Sequence, residues 1–176
     1  MLNIRPFRAG EAPAPLAALY TSFTTDRIYR MQRTTLSFVL EEEVVDPPFC
    51  KTYPLDNLET ELKDMDQNLV AELGPELVGF TGVKYEAWNR RMGVGHLYVA
   101  PQHRGKGIGR GLIESAVNYA RTTEARCLWL ETQNTNYPAI QFYRRAGFRL
   151  CGLDESLYDP LGLGRGEVAL FFARDL

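Results

Sequence analysis

The sequence predicts a mixed α/β fold built on one mainly antiparallel sheet flanked by helices. Three observations lead there. Short alternating apolar stretches separated by turn residues dominate the first half. A strand–helix–strand crossover spans residues 93–131. Two further strand-like runs close the chain after a second motif-bearing helix. With 176 residues, 45% apolar and 24% charged, the chain is expected to form one domain, 1–176, with ordinary soluble composition.

The elements follow in order. Asn3 to Arg8 alternates as a first strand, and Leu16, Leu19, Tyr20 and Phe23 recur at helical spacing. Residues 41–56 are acidic and then Pro-rich, which reads as a loop. Leu58, Leu62 and Met65 mark a short amphipathic helix with Asp56 as its N-cap. Asn68–Leu73 and Leu77–Tyr85 flank a Gly74-Pro75 turn as a hairpin, and Asn89, Arg90 and Arg91 make the next turn. Gly93–Val99 is a strand, Pro101–Gly107 a Gly- and base-rich turn, and Ile108, Leu112, Ala116 and either Tyr119 or Ala120 mark a helix. Cys127–Glu131 is the returning strand, 136–146 a helix, and Phe148–Leu153 and Glu167–Ala173 the last strands.

Net charge is −2, which makes no case for nucleic-acid binding. The total conceals a split: +3 over residues 1–40, −9 over 41–76 and +4 over 77–176. The longest apolar run, Val168 to Ala173, falls far short of the ~20 residues that span a bilayer. Three cysteines without metal-ligand spacing read as reduced thiols. A cytoplasmic protein with no membrane and no metal is expected.

The informative segment is Leu97-Tyr98-Val99 followed by Arg104-Gly105-Lys106-Gly107-Ile108-Gly109-Arg110. The first turn of a helix has backbone N–H groups without intrahelical partners and a partial positive charge. Glycines let an anion approach that backbone. Arg104, Lys106 and Arg110 add charged donors. Glycine is poor in helices by about 1 kcal/mol against alanine, so Gly109 and Gly111 in a first turn call for a reason, and phosphate is the one read here. A P-loop is excluded by Ala100 and Gly107, where Gly and Ser/Thr would stand. The dinucleotide fingerprint fails at Arg110 and Leu112, although Glu131 stands near where a ribose-binding acid would.

The turn resembles the coenzyme-A motif of the GNAT superfamily of N-acetyltransferases, here Arg104-x-x-Gly107-x-Gly109. A second segment, Asn136-Tyr137-Pro138-Ala139-Ile140-Gln141-Phe142-Tyr143 with Gly147-Phe148, is similar to that superfamily's Asn-x-x-Ala-x-x-Phe-Tyr helix. Asn136 is a good N-cap, Pro138 suits a first turn and Gly147 suits a C-terminal cap. Residues 88–91, 130–134, 152–158 and 167–170 further resemble stretches of streptothricin acetyltransferases, so the likeness covers roughly 68–173. One departure stands out: Gly95-His96 occupies the place where those relatives tend to carry an acidic pair.

The resemblance implies a GNAT fold with its sheet splayed at the cofactor cleft, between the 93–99 and 127–131 strands. It implies acetyl-CoA as co-substrate. Leu97, Tyr98 and Val99 would bind by backbone, Arg104 to Arg110 would hold the pyrophosphate, and Asn136, Ala139, Phe142 and Tyr143 would also bind the cofactor. Tyr143 is the implied general acid. His96 and Glu131 are the two candidate bases, beside a water relay, and Arg144 or Arg145 is a candidate for the 3′-phosphate. Tyr85 and Trp88 either pack on the sheet or shape the acceptor pocket. Asp154 and Tyr158 either face the acceptor or lie on a surface loop. His103 is expected to face solvent. The implied acceptor is a small-molecule amine, cationic, as in antibiotic resistance, and the assembly a monomer or homodimer. A non-catalytic acyl-CoA sensor and a nicotinamide-dependent oxidoreductase are the competing readings.

Overall fold

The structure, a computed structural model, describes residues 1–8, 16, 21–159, 161 and 166–176. They fall into two compact units, one of Met1–Thr21, Tyr53–Trp129 and Asp175–Leu176, the other of Ser22–Thr52 and Leu130–Arg174.

The first unit holds β1 (Leu2–Pro6), α1 (Leu58–Asp64), β4 (Gln67–Leu73), β5 (Glu76–Glu86), β6 (Arg91–Val99), a 3-10 turn (Pro101–His103), α2 (Ile108–Ala120) and the start of β7 (Cys127–Gln133). Strand order is β1-β4-β5-β6-β7. Neighbours from β1 to β6 are antiparallel, whereas β6 and β7 are parallel from Arg91↔Cys127 to Gly93↔Trp129. That change of direction is what a crossover helix requires, and α2 supplies it. Ile108, Leu112, Ile113, Ala116, Val117 and Ala120 form its buried stripe. Gly111 serves packing: a Cβ there would stand 2.7 Å from Ile4 Cδ1 of β1. That approach favours a small residue in the first helical turn beside β1.

A core of Leu16, Leu58, Leu62, Val70 and Phe80 anchors α1 on the sheet. Each such fully buried side chain contributes about 1.5–3 kcal/mol. Asn57, rather than Asp56, precedes α1, with no side-chain cap hydrogen bond. Leu19 and Tyr20 lie outside the described residues, while Phe23 opens a strand instead of extending a helix.

The second unit contains β2 (Phe23–Arg33), β3 (Phe38–Lys51), the end of β7, α3 (Tyr137–Arg145), β8 (Arg149–Asp154) and β9 (Ala169–Asp175, through Arg174). Its strand order is β7-β9-β8, and β2 and β3 pair as a separate antiparallel ribbon. The ribbon corrects the loop expected at 41–56 over residues 41–51, while 52–56 are free of helix and strand as expected. Its acids are cross-strand partners: Arg27 pairs with Glu42, Arg30 donates twice to Glu43 at 2.7 Å, and Gln32 donates to Glu41 at 2.6 Å. Pro47 and Pro48 fall where the register shifts, opposite the step from Thr25 to Arg27, so the ladder does not need the N–H they lack.

Buried Asn134 ties this unit together. Its Nδ2 donates to Tyr29 O at 2.7 Å, its carbonyl accepts from Tyr29 N–H, and its Oδ1 accepts from Val168 N–H at 2.8 Å.

Candidate active site

In the first unit, the Gly-rich turn runs from the 3-10 segment into α2. Gly105 and Gly107 have φ of 75° and 83°, in the left-handed region, and a Cβ at either would meet nothing within 4 Å. The first intrahelical bond of α2 is Gly111 N–H to Gly107 O at 2.9 Å, leaving the preceding N–H groups at its tip. Arg104 Nε donates to Val99 O at 2.9 Å and Lys106 Nζ to Gln102 O at 2.9 Å, bracing the turn. Arg110 is exposed on α2. Open space, helix-tip donors and these cations fit a diphosphate. His103 is not solvent-facing as expected: its side chain is 15% exposed and its Nε2 lies 3.2 Å from Glu76.

Strand β6 meets β5 through Thr81↔Leu97, Phe80↔Tyr98 and Gly79↔Val99. The register slips between Gly82↔His96 and Val83↔Val94, leaving Gly95 as a bulge. Bulges re-aim neighbouring side chains, and this one directly precedes His96. The His96 side chain is 10% exposed, its ring is 5.8 Å from Phe80 and 6.2 Å from Tyr98, and its Nε2 is 3.2 Å from Glu61 Oε2. Burial pushes its pKa below the ordinary imidazole value, with Glu61 opposing more weakly. Burial, then Glu61, pushes the Tyr98 phenol up to about 12, so Tyr98 is a neutral packing group. Trp88 is 85% exposed and packs on nothing substantial.

In the second unit, Glu131 on β7 is half-buried and accepts a hydrogen bond from the Tyr158 hydroxyl. Burial raises its pKa, while Tyr158 and the Lys51 ammonium act the other way. Lys51 pairs with buried Glu167, which also accepts from Thr135. Asp154 accepts from Ser156 N–H and Oγ at 2.7 Å, so it shapes the loop that carries Tyr158. On α3, Asn136 Oδ1 accepts from Ala139 N–H at 3.2 Å, the expected cap. The Tyr143 ring sits 5.4, 5.8 and 6.2 Å from those of Phe142, Phe148 and Phe172. Gly147, with φ of 87°, ends the helix as expected.

The Glu61–His96 approach and the Lys51–Glu167 pair had no signal in the sequence, since both join residues distant along the chain. Among the described residues no group of three His, Cys, Asp or Glu is placed to hold a metal, and no helix is long and apolar enough to cross a membrane.

Residues 26–148 match the family model for acetyltransferases of the GNAT family. The chain is 42% identical over 178 aligned positions to the streptothricin acetyltransferase of Streptomyces lavendulae, covering 97% of this chain and 93% of the relative. It is 29% identical to that of Escherichia coli, over 85% and 83% of the two chains. The crystal structure of nourseothricin acetyltransferase superposes with a TM-score of 0.88 at 43% identity, over 99% of this chain and 98% of that one. A Bacillus anthracis protein solved in complex with acetyl coenzyme A gives 0.84 at 25% identity over the full length of both. The dinucleotide reading falls with these matches. The chain belongs to the GNAT family of acetyltransferases.

Proposed function

We propose that this protein transfers the acetyl group of acetyl-CoA directly to a primary amine of a streptothricin-class antibiotic, with the whole chain, 1–176, as the catalytic domain. The observation that carries the acceptor class is the near full-length similarity to a streptothricin acetyltransferase. The observation that supports the co-substrate is the open, left-handed Gly105–Gly107 turn at the tip of α2. Cys50, Cys127 and Cys151 form no disulfide among the described residues, which accords with a cytoplasmic setting.

Acetyl-CoA supplies an activated acetyl group. The N–H groups at the start of α2, with Arg104, Lys106 and Arg110, hold its diphosphate. Backbone groups of Leu97, Tyr98 and Val99 pair with its arm, and a free N–H there steadies the developing oxyanion. The motif match at Asn136, Ala139 and Phe142 assigns these α3 residues to the co-substrate as well. Tyr143 holds the proton that the leaving sulfur requires. An alkyl ammonium has a pKa near ~10, so the acceptor must lose a proton before it attacks. His96, neutral near pH 7 because burial lowers its pKa, takes that proton. Glu131, one oxygen capped by Tyr158, holds the acceptor's remaining positive charge. Holding both substrates in line supplies much of the rate.

The test is release of CoA thiol with streptothricin, polyamines, aminoglycosides, amino acids and N-terminal peptides as acceptors. Streptothricin is expected to give the highest kcat/KM. Turnover confined to another class would replace the acceptor assignment, and no turnover with any amine despite acetyl-CoA binding would remove the enzymatic one.

A further inference from the structure

Half of the Glu131 carboxylate is already engaged. Its Oε1 accepts from the Tyr158 hydroxyl. Gln133 stands two residues along β7, on the same face of the strand, and its side chain hydrogen-bonds the same hydroxyl. A hydroxyl has one proton to give, so Tyr158 donates to Glu131 and accepts from the Gln133 amide. Burial and the Glu131 carboxylate both raise the phenol's pKa, which keeps that proton on Tyr158. The loop that brings Tyr158 is fixed in turn: Asp154 closes it on Ser156, and Glu155 pairs with Arg33 of β2.

The other half is open. Among the described residues no second donor reaches Glu131. The fully buried side-chain N and O atoms without a hydrogen-bond partner are Asn68 Oδ1 and His103 Nδ1, so Glu131 Oε2 keeps access to solvent. The nearby cation is committed elsewhere. Lys51 acts on Glu131 through space, while its ammonium pairs with Glu167, a buried carboxylate that also accepts from Thr135. Two carboxylates against one ammonium leave a negative charge at Glu131 for a ligand to meet.

Resting on the reading of Glu131 as the holder of the acceptor's positive charge, we infer that Tyr158 is its positioning residue and makes this place selective for an ammonium over a guanidinium. A guanidinium pairs best with a carboxylate through two parallel N–H···O bonds, one to each oxygen. Tyr158 occupies Oε1, so one of those bonds is lost, and a guanidinium in this half-buried place leaves donors unmatched at a cost in free energy. An ammonium is a compact point charge that a single oxygen serves. The acceptor class is therefore a diamine: one amine receives the acetyl group, and the second rests as an ammonium on Glu131 Oε2.

Two probes with the same chain test this, 1,4-diaminobutane and 4-aminobutylguanidine, titrated calorimetrically into the CoA-saturated protein, so that neither has to be turned over. The wild type is expected to bind the diamine about ten-fold or more tightly than the guanidine, the value of one charge-assisted hydrogen bond. Tyr158→Phe should tighten the guanidine and bring the two Kd values within about three-fold, because both carboxylate oxygens become available to the fork. Glu131→Gln should weaken the diamine by about ten-fold or more, through loss of the charge. The wild-type ratio is a test by itself, whatever Tyr158→Phe does to folding. Equal wild-type affinities, or binding of neither probe, would overturn the inference. A Tyr158→Phe protein that weakens both probes together would show a structural role only. If Glu131→Gln weakens the diamine while Tyr158→Phe keeps the wild-type ratio, the selector role is wrong and Glu131 still holds the cation. If Glu131→Gln leaves both affinities unchanged, the cation-holding reading fails and this inference with it.

Discussion

Gly107→Ala separates backbone strain from ligand recognition. Gly107 sits at φ 83°, and a Cβ there would touch no protein atom within 4 Å. The stability cost is therefore conformational alone. A side chain in the left-handed region costs about 1–2 kcal/mol, and a domain of this size loses roughly 2–4 °C per kcal/mol, so the apo-protein should melt about 2–8 °C lower. Gly74 provides the matched control: φ is 62°, nothing lies within 4 Å, and it occupies the β4–β5 turn. Gly74→Ala should cost a similar amount. The two variants should part on acetyl-CoA. A methyl at Gly107 occupies the space assigned to the diphosphate, and losing about 1.4 kcal/mol there weakens binding ten-fold. Calorimetric titration with acetyl-CoA should give at least that loss for Gly107→Ala and none for Gly74→Ala. Equal affinity in both variants, with both melting points lowered, would refute the assignment of this turn to the co-substrate.

Three further outcomes follow from the same geometry. Tyr143→Phe should lower kcat by about 10²-fold or more, as for loss of a positioned acid, and leave acetyl-CoA affinity within two-fold; parallel loss of both by calorimetry and initial rates would remove the acid role. Glu131→Gln should raise KM for the acceptor yet stabilise the fold near neutral pH. The folded pKa of Glu131 lies above its unfolded value because of burial, so the wild type loses this contribution as pH rises from the ordinary carboxylate range through the folded value. The difference in melting point between variant and wild type should grow over that window, and a constant difference would contradict it. Asn136→Ala removes the cap on Ala139 N–H and should cost about 1 kcal/mol, read as a lower urea midpoint at unchanged slope; an unchanged midpoint would show the cap to be idle.

Local signals carried most of the architecture. The β4–β5 hairpin, the crossover through α2 and the capped α3 all rest on turn residues, apolar period and cap chemistry that act within a few positions. The β2–β3 ribbon escaped because its residues look like a solvated acidic loop until each glutamate meets an arginine or glutamine on the facing strand. The same pairing revises the charge split. Glu41, Glu42 and Glu43 are bound within the ribbon, Glu59 pairs with Lys63, Asp64 with Lys84 and Glu72 with Arg5. Much of the acidic block is thus matched locally and does not act as an open field. The motif residues proposed for the site, Gly107, Asn136 and Tyr143, stand out in the sequence. The approach of Glu61 to His96 and the hydrogen bond from Tyr158 to Glu131 do not, because they form only through the fold.

The central claim is direct acetyl transfer from acetyl-CoA to an amine of a streptothricin-class acceptor. Mass spectrometry on a single turnover with isotope-labelled acetyl-CoA tests it most directly. Protein mixed with labelled acetyl-CoA alone should remain unmodified. Addition of streptothricin should then place one labelled acetyl group on an acceptor amine for each CoA thiol released. Label trapped on the protein, or released only as acetate while streptothricin stays unmodified, would contradict the account.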